Sequence, residues 1–300
     1  MPHSASKPKQ KRQRAETVEV AWLLKALAAI FVAAAVCTYL TLCFLFYRAQ
    51  WQVVLHPVRT SVQELAQSSL IHFAPGDSGQ PQLTGKWLAA DVDSRYGGLT
   101  ILFLSAGDRT EAAFAETQTA LQRAGLNVFA FDYRGYGQSA NVHPDQRRMT
   151  EDSEAAWNYL TNTRKIRGEA IIPYGVGVGA SLATSLAMTH AEIPGIILDS
   201  PYADLDEVVG QDPRFRLLPT SLLFHEDFPL TEPLSRLQKP KLLIARDHGT
   251  TATAFRTAAE PKITVSLDAS SDGLFHEAVT RFLDQYGVVP SAAPGETKLR

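Results

Sequence analysis

The longest apolar stretch lies near the amino terminus, where residues 26–46 form a run of 21 uncharged positions. A helix of about 20 apolar residues crosses the ~30 Å hydrocarbon layer of a bilayer. We therefore predict a transmembrane helix over 20–47, preceded by a basic tail over 1–19. A cleaved signal peptide is disfavoured because its apolar core is only about 7–15 residues long. A lipoprotein signal at Cys37 is disfavoured by the bulky Val36 before it.

Basic residues are distributed unevenly around this run. Six Lys or Arg residues precede it, whereas only Arg48 and Arg59 follow it closely. Short positively charged flanks are retained in the cytoplasm. The sequence thus predicts a single-pass membrane protein with a cytoplasmic amino terminus. Residues 48–300 are predicted to be extracytoplasmic, which means periplasmic in a Gram-negative cell.

Beyond the apolar run, short β-prone segments alternate with segments of helical periodicity. Strands are predicted over 83–89, 99–105, 127–133, 170–174, 194–200, 240–246 and 262–268. Helices are predicted over 112–124, 150–161, 254–260 and 276–286, with one more ending near residue 190. This alternation predicts an α/β fold with a mostly parallel central sheet and helices on both faces. We place that domain at 71–287, after a juxtamembrane connector over 48–70 and before a flexible tail over 288–300.

The composition, net charge and cysteine count of the chain exclude several classes of function. With 300 residues, 45% hydrophobic and 20% charged, the chain suits one globular domain behind the anchor. A net charge of −2 gives no electrostatic argument for nucleic acid. Both cysteines, Cys37 and Cys43, lie in the apolar run, which excludes a disulfide-stapled globular part. The scattered histidines form no metal-binding pattern, so neither a metal nor another cofactor is expected.

The stretch 170–183, AIIPYGVGVGASLA, is the most informative motif. A β-prone run meets three alternating glycines, Gly175, Gly177 and Gly179, and then small residues that tolerate a helix. This is the layout of the nucleophile elbow G-x-S-x-G, in which a sharp turn raises a serine above the sheet. The outer glycines are needed where a side chain would collide with the neighbouring strand or helix. Here Gly177 stands in the place of the serine.

Other strings carry a resemblance to a known family. LFYRAQWQVVLHP, FDYRGYGQS, ILDSPYADL and KPKLLIA, taken with the elbow, resemble membrane-anchored α/β-hydrolases of the serine aminopeptidase-like type. The resemblance covers about residues 45–286. It implies an α/β-hydrolase fold and the hydrolysis of esters, thioesters, lipids or peptides. It implies no particular substrate, because one fold carries many functions.

The family's functional residues fall on altered positions here. Gly177 matches the nucleophile and has no side chain that attacks a substrate. In the oxyanion-hole region, Ser105 and Ala106 replace the family's His-Gly, and Val178 follows the nucleophile position. The triad acid is expected shortly after KPKLLIA, where Asp247 comes two residues early.

The triad histidine is expected in the loop before the last helix. There His276 is the candidate, although DGLF precedes it instead of a glycine-rich lead. Asp247 and His276 form at most a residual acid–histidine pair, and His248 competes for the same role. The departures together indicate relaxed catalytic constraint.

Substitute nucleophiles remain open. Ser181 lies one turn into the helix after the elbow, where a hydroxyl commonly bonds to the backbone. Ser105 and Ser200 lie at the carboxyl ends of strands, on the side of the sheet where an active site would form. Arg134 and Tyr136 in the RGYG turn are interpreted as structural.

The same glycines match a second motif. Gly175-x-Gly177-x-x-Ala180, followed by Asp199 at the end of the next strand, fits a dinucleotide-binding fingerprint. That fingerprint normally opens the first βαβ unit, whereas two β–α units precede it here. Three hypotheses result: a degraded serine hydrolase that binds an acyl or ester-like ligand or a membrane protein, an active hydrolase with an unrecognised nucleophile, and a nucleotide-binding protein.

Overall fold

The computed structural model describes residues 20–59, 70–75, 79–108, 111–202, 204–205, 209–210, 212–246, 251–267 and 272–286. Its strands are β1 Leu70–Phe73, β2 Leu83–Leu88, β3 Thr100–Leu104, β4 Asn127–Asp132, β5 Ile171–Val176, β6 Ile196–Asp199, β7 Lys241–Ala245 and β8 Lys262–Ser266. Its α-helices are α1 Val20–Ala49, α2 Trp51–Val54, α3 Ala115–Arg123, α4 Gln146–Asn158, α5 Gly179–Thr189, α6 Thr220–Leu223, α7 Thr231–Arg236, α8 Thr251–Thr257 and α9 Asp272–Gln285.

The eight strands form one sheet in the order β1-β2-β4-β3-β5-β6-β7-β8. The pairs β1–β2 and β2–β4 are antiparallel, and the remaining pairs are parallel. Helices α3 and α9 contact each other, as do α4 and α5. Because β3, β5, β6 and β7 run in the same direction, the residues that follow them meet at one edge of the sheet. The predicted α/β-hydrolase fold is confirmed.

The core lies where the sheet is covered on both sides. All five residues of β3 are buried, and so are the first five of β5. Phe103 of β3 stacks on Tyr174 of β5 with ring centroids 5.2 Å apart. Continuous apolar strands of this kind are typical of the buried middle of a parallel sheet.

Several boundaries differ from the predicted ones for local reasons. Helix α4 begins at Gln146 instead of residue 150, because Asp145 caps it by accepting a hydrogen bond from the Arg148 N–H at 2.7 Å. Helix α9 begins at Asp272, so His276 lies inside the helix. Strand β1 has no clear sequence signal and is held by its antiparallel pairing with β2.

The amino-terminal helix α1 is 30 residues long and has a mean hydropathy of 2.3 over its most apolar window. Among the described residues it is the helix long and apolar enough to cross a membrane. Its side chains are almost all exposed. The chain divides into two compact units, residues 1–47 and 48–300.

The described residues between β6 and β7 include two short helices, α6 and α7. We call residues 212–230 the cap; it contains a 3-10 turn at Pro213–Phe215 and helix α6. Hydrogen bonds to the rest of the domain hold its carboxyl-terminal part. The Leu230 N–H donates to Asp204 Oδ1 at 2.7 Å, and the Gln146 N–H donates to Glu226 Oε2 at 2.6 Å.

Candidate functional site

The elbow has the predicted strand–turn–helix form. Strand β5 ends at Val176, Gly177 occupies the tip with φ +55°, and α5 begins at Gly179. The Gly177 carbonyl accepts hydrogen bonds from the N–H groups of Ala180 at 3.2 Å and Tyr202 at 3.3 Å. A left-handed φ at this point costs glycine little and strains any other residue. The turn at Gly177 therefore has a left-handed backbone that glycine adopts without strain.

The outer glycines bring the strand and the helix into close contact. A Cβ on Gly175 would lie 2.3 Å from the Gly179 carbonyl oxygen and 2.6 Å from the Ala180 Cα. A Cβ on Gly179 would lie 2.2 Å from the Leu104 carbonyl oxygen, which belongs to β3. Both contacts are with backbone atoms, which cannot move aside as the end of a flexible side chain can. The two positions thus require glycine for packing.

The space above the elbow tip is occupied. A Cβ placed on Gly177 would lie 2.8 Å from the Ala106 Cβ and 3.0 Å from the Tyr202 Cε2. The Tyr202 hydroxyl donates to Asp108 Oδ2 at 3.4 Å, while its backbone N–H bonds to Gly177. Tyr202 is therefore fixed at two points beside the tip. A nucleophile side chain at residue 177 would have to displace Ala106 or Tyr202.

The predicted oxyanion-hole residues gather around Gly177. Ser105 is buried at the end of β3, and its carbonyl accepts a hydrogen bond from the Tyr133 hydroxyl at 3.4 Å. Val178 is also buried, and its Cγ2 lies 2.8 Å from the place of a Cβ on Gly107. The structure thus brings Ser105, Ala106, Gly177 and Val178 together.

Ser181 lies in the first turn of α5 and is buried. Its hydroxyl donates to the Pro229 carbonyl of the cap at 2.8 Å. A hydroxyl needs an adjacent base to attack a substrate. The Ser181 hydroxyl instead donates its hydrogen bond to a backbone carbonyl. The contact makes Ser181 a link between the elbow helix and the cap.

A buried ionic network lies at the same edge of the sheet. Asp199, at the end of β6, accepts hydrogen bonds from Arg246 Nε at 2.9 Å, from the Tyr174 hydroxyl at 2.6 Å and from the Ser200 hydroxyl at 3.0 Å. Burial by itself lowers the pKa of Arg246, but the hydrogen bonds and charge of Asp199 raise it above the ordinary value. Burial, together with the Asp199 charge, raises the pKa of Tyr174. Asp199 is thus fully engaged in joining β5, β6 and β7.

The structure describes the predicted triad histidine but not the predicted acid. Asp247 and its competitor His248 lie outside the described residues. His276 is exposed on α9, four residues after the helix begins. Its neighbour Phe275 is buried instead, with the Arg246 guanidinium 5.5 Å from its ring centroid.

The RGYG turn is built as a structural element, as predicted. Arg134 Nε donates to Asp152 Oδ1 at 2.6 Å, and the Arg134 N–H donates to Asp152 Oδ2 at 2.8 Å. The Tyr136 hydroxyl donates to the Gly107 carbonyl. These contacts hold the turn against α4 and against the loop after β3.

Two clefts lie near this edge in residues 48–300. One, of about 550 Å³, is lined by α3 together with Arg246 and Phe275. The other, of about 620 Å³, lies between the start of α4 and residues 225–227 of the cap. Within the described part of the chain, no group of three or more His, Cys, Asp or Glu side chains is placed to hold a metal ion.

Sequence reasoning missed the role of Tyr202 and the Tyr174–Asp199–Arg246 network. Tyr202 follows β6 by three residues, and that position alone does not reveal that its ring reaches the elbow tip. The sequence indicates Asp199 only as the acidic residue of the dinucleotide-binding fingerprint. Its basic partner Arg246 was visible at the end of KPKLLIAR, but pairing across neighbouring strands requires the sheet order.

Comparisons with known proteins agree with this geometry. A family model described as "Serine aminopeptidase, S33" matches residues 100–254. An uncharacterized protein of Mycobacterium tuberculosis is 31% identical over 199 residues, covering 62% of this chain and 69% of that protein. Human alpha/beta hydrolase domain-containing protein 17B is 32% identical over 128 residues, 43% of this chain and 41% of that protein.

Solved structures share the fold at lower identity. An esterase of Pyrococcus furiosus superposes with a TM-score of 0.59 at 19% identity, over 77% of this chain and 98% of the esterase. A proline iminopeptidase of Mycobacterium smegmatis superposes with a TM-score of 0.57 at 15% identity, over 74% of this chain and 100% of that enzyme. From the fold, the elbow and the family match together, this chain belongs to the serine aminopeptidase family of the α/β-hydrolase superfamily.

Proposed function

We propose that this chain is a membrane-anchored member of the family that binds a ligand or partner through its hydrolase scaffold and does not hydrolyse it. One observation carries the proposal: the elbow tip is Gly177, and the space for a nucleophile side chain is taken by Ala106 and Tyr202. Loss of the nucleophile from a serine enzyme costs about 10⁶ in turnover. The bound molecule is expected to be an acyl or ester-like compound or a membrane protein.

Membrane anchoring is part of the proposal. The support is the length, hydropathy and exposure of α1, together with the basic residues that precede the predicted span. An apolar helix with almost all its side chains exposed is favoured in lipid and disfavoured in water. On the charge rule, residues 48–300 lie outside the cytoplasm.

The rival hypothesis of an active hydrolase needs a different serine. Ser181 is buried and donates to Pro229, and the Ser200 hydroxyl donates to Asp199. For Ser181 and Ser200 alike, no described contact supplies a histidine as general base. We therefore favour a positioning role for both hydroxyls.

We do not propose nucleotide binding. In the dinucleotide fingerprint the acidic residue at the end of the second strand receives a ribose hydroxyl. Asp199 is buried here and already accepts bonds from Arg246, Tyr174 and Ser200. Freeing it would leave the Arg246 charge without its partner.

The proposal is tested by labelling the full-length chain, purified in mild detergent, with a fluorophosphonate probe. Adducts are mapped by mass spectrometry, beside a working serine hydrolase and a heat-denatured sample of this chain. We expect no heat-sensitive adduct, because neither Ser181 nor Ser200 has a hydrogen bond to a histidine among the described contacts. Specific, heat-sensitive labelling at one serine would overturn the proposal. A Ser181→Ala variant in the same series would reveal whether that serine is Ser181.

A further inference from the structure

Residues 50–59 run across several loops of the domain, and we call them the strap. The strap includes helix α2. Its first residue, Gln50, is 2% exposed and binds the cap backbone through its side-chain amide. The Gln50 Oε1 accepts a hydrogen bond from the His225 N–H at 2.8 Å, and its Nε2 donates to the Leu223 carbonyl at 3.2 Å. One end of the strap is therefore fixed to the cap.

The other end of the strap is fixed to the RGYG turn. The Val58 carbonyl accepts a hydrogen bond from the Gly137 N–H at 2.9 Å, and Arg59 forms an isolated parallel bridge with Gly137. Arg59 Nη1 also donates to the Ser139 carbonyl. None of the eight described strands includes a strap residue. Detachment of the strap would therefore break no ladder of the sheet.

The middle of the strap holds the loop that follows β3. Leu55 is fully buried, and its Cδ2 lies 3.0 Å from the place of a Cβ on Gly107. The Cγ2 of Val178, the residue after the elbow tip, lies 2.8 Å from the same place. The Gly107 carbonyl accepts hydrogen bonds from the His56 N–H at 3.2 Å and from the Tyr136 hydroxyl. Gly107 is thus held by the strap and by the turn to which the strap is bonded.

Gly107 lies between the two residues that close the elbow tip. Before it, the Ala106 Cβ lies 2.8 Å from the place of a Cβ on Gly177. After it, Asp108 accepts the hydrogen bond of the Tyr202 hydroxyl at 3.4 Å. The backbone of residues 106–108 therefore moves away from the tip only if the bonds on Gly107 are broken.

The strap is attached less firmly than the sheet beneath it. Among the strap residues whose burial is described, only Gln50 and Leu55 are buried, whereas every residue of β3 is buried. Segments with few buried apolar contacts open at a lower free energy than core strands do. Release of the strap is therefore separable from unfolding of the domain.

We propose that the strap controls access to the elbow. When it is bound, it keeps residues 106–108 against Gly177. When it is displaced, these residues and Tyr202 move apart and admit a ligand to the space above the tip. The inference deepens the function proposed above and rests on it, because the closed elbow tip carries both.

The test measures how fast a thiol at the elbow reacts with a maleimide under native conditions. It uses the full-length chain in mild detergent, with Cys37→Ala and Cys43→Ala. Val178→Cys supplies the reporter, since residue 178 is 1% exposed and cysteine is smaller than valine. In a second chain, Val279→Cys supplies a fully buried thiol in α9 that reports on opening of the core.

Each reporter is combined with the intact strap, with Leu55→Ala, or with Val58→Ala as the matched control at a strap residue that is 49% exposed. We expect Leu55→Ala to raise the rate at 178 at least about tenfold more than the rate at 279, because a buried anchor of the strap is lost. Val58→Ala should leave both rates unchanged. If Leu55→Ala does not fold, Leu55→Val should give a smaller rise that is again confined to 178.

Three results would overturn the inference. Equal factors at 178 and 279 would mean that Leu55 only stabilises the whole domain. An unchanged rate at 178 would mean that the strap does not hold the loop. A rate at 178 in the intact chain as fast as in the denatured chain would mean that the elbow is not closed.

The proposed function fails by a different measurement. A serine labelled by the fluorophosphonate probe in the unaltered chain would overturn the absence of hydrolysis. If Leu55→Ala still opened position 178 selectively, control of access by the strap would stand.

Discussion

At the scale of single residues, the proposed absence of hydrolysis depends on the surroundings of Gly177. Gly177 has the left-handed backbone of a nucleophile position, yet Ala106 and Tyr202 occupy the volume into which a side chain would extend. The proposed loss of a nucleophile would thus be accompanied by closure of the space around it. A reversion at one position does not reverse that closure.

Restoring serine tests this closure. We expect Gly177→Ser to leave ester hydrolysis at the level of the unaltered chain and to lower the free energy of unfolding by about 1–3 kcal/mol, through φ strain and overpacking. Hydrolysis of a p-nitrophenyl ester and denaturant unfolding measure the two effects.

Ala106→Gly supplies the matched control for that variant. The double variant Gly177→Ser/Ala106→Gly removes the 2.8 Å contact. It should regain part of the lost stability without gaining activity, since His276, the predicted triad histidine, is exposed within α9. Robust hydrolysis by the single variant would contradict both the closure and the proposed function.

At the scale of elements, the strand–turn–helix unit depends on close backbone approach. Gly179→Ala places a Cβ 2.2 Å from the Leu104 carbonyl oxygen. We expect a loss of at least about 2 kcal/mol in unfolding free energy, because overpacking outweighs the ~1 kcal/mol helix-propensity gain of alanine. Thermal unfolding measures the change.

Gly273→Ala is the control for that prediction, since it also lies in the first turn of a helix. A Cβ there meets no atom within 4 Å. The free energy of unfolding of the Gly273→Ala variant should be unchanged or slightly raised. Equal effects of the two variants would mean that Gly179 is not required for packing.

The elements themselves were largely predictable. Apolar runs such as residues 99–105 and 127–133 predicted β3 and β4, because a strand buried on both faces leaves an unbroken apolar run. Strand β1 was missed, since LIHF gains its stability from pairing with β2 and not from its own pattern. The last helix was predicted to begin at residue 276, four residues too late, so the structure places His276 one turn inside α9 and not at its first residue.

At the scale of the whole molecule, one buried lysine couples the stability of the fold to pH. Lys241 is fully buried at the start of β7 and donates to the carbonyls of Leu237 and Ala259, each at 2.8 Å. Burial lowers its pKa from 10.5 to about 8. Between these values the unfolded chain holds a proton that the folded chain has released, so raising the pH favours the folded state.

We therefore expect the free energy of unfolding to rise between about pH 8 and 10.5 by more in the unaltered chain than in Lys241→Met. Urea unfolding at a series of pH values measures the difference between the two curves. Parallel curves would mean that Lys241 titrates in the folded chain as it does in the unfolded one.

The sequence by itself determined an α/β fold with a mostly parallel sheet, the apolar amino-terminal helix and the presence of glycine at position 177. Each of these features depends on residues that are close together in the chain. The fold class follows from the spacing of apolar positions, the helix from an uninterrupted apolar run, and the glycine from the identity of one residue. Only the tertiary structure decided what surrounds Gly177, because Ala106 and Tyr202 come from separate loops that meet at one edge of the sheet. The same holds for Asp199 with Arg246 and for Gln50 with the cap. The members of each pair are distant in the chain, so their contact depends on how the strands and loops pack in the folded protein.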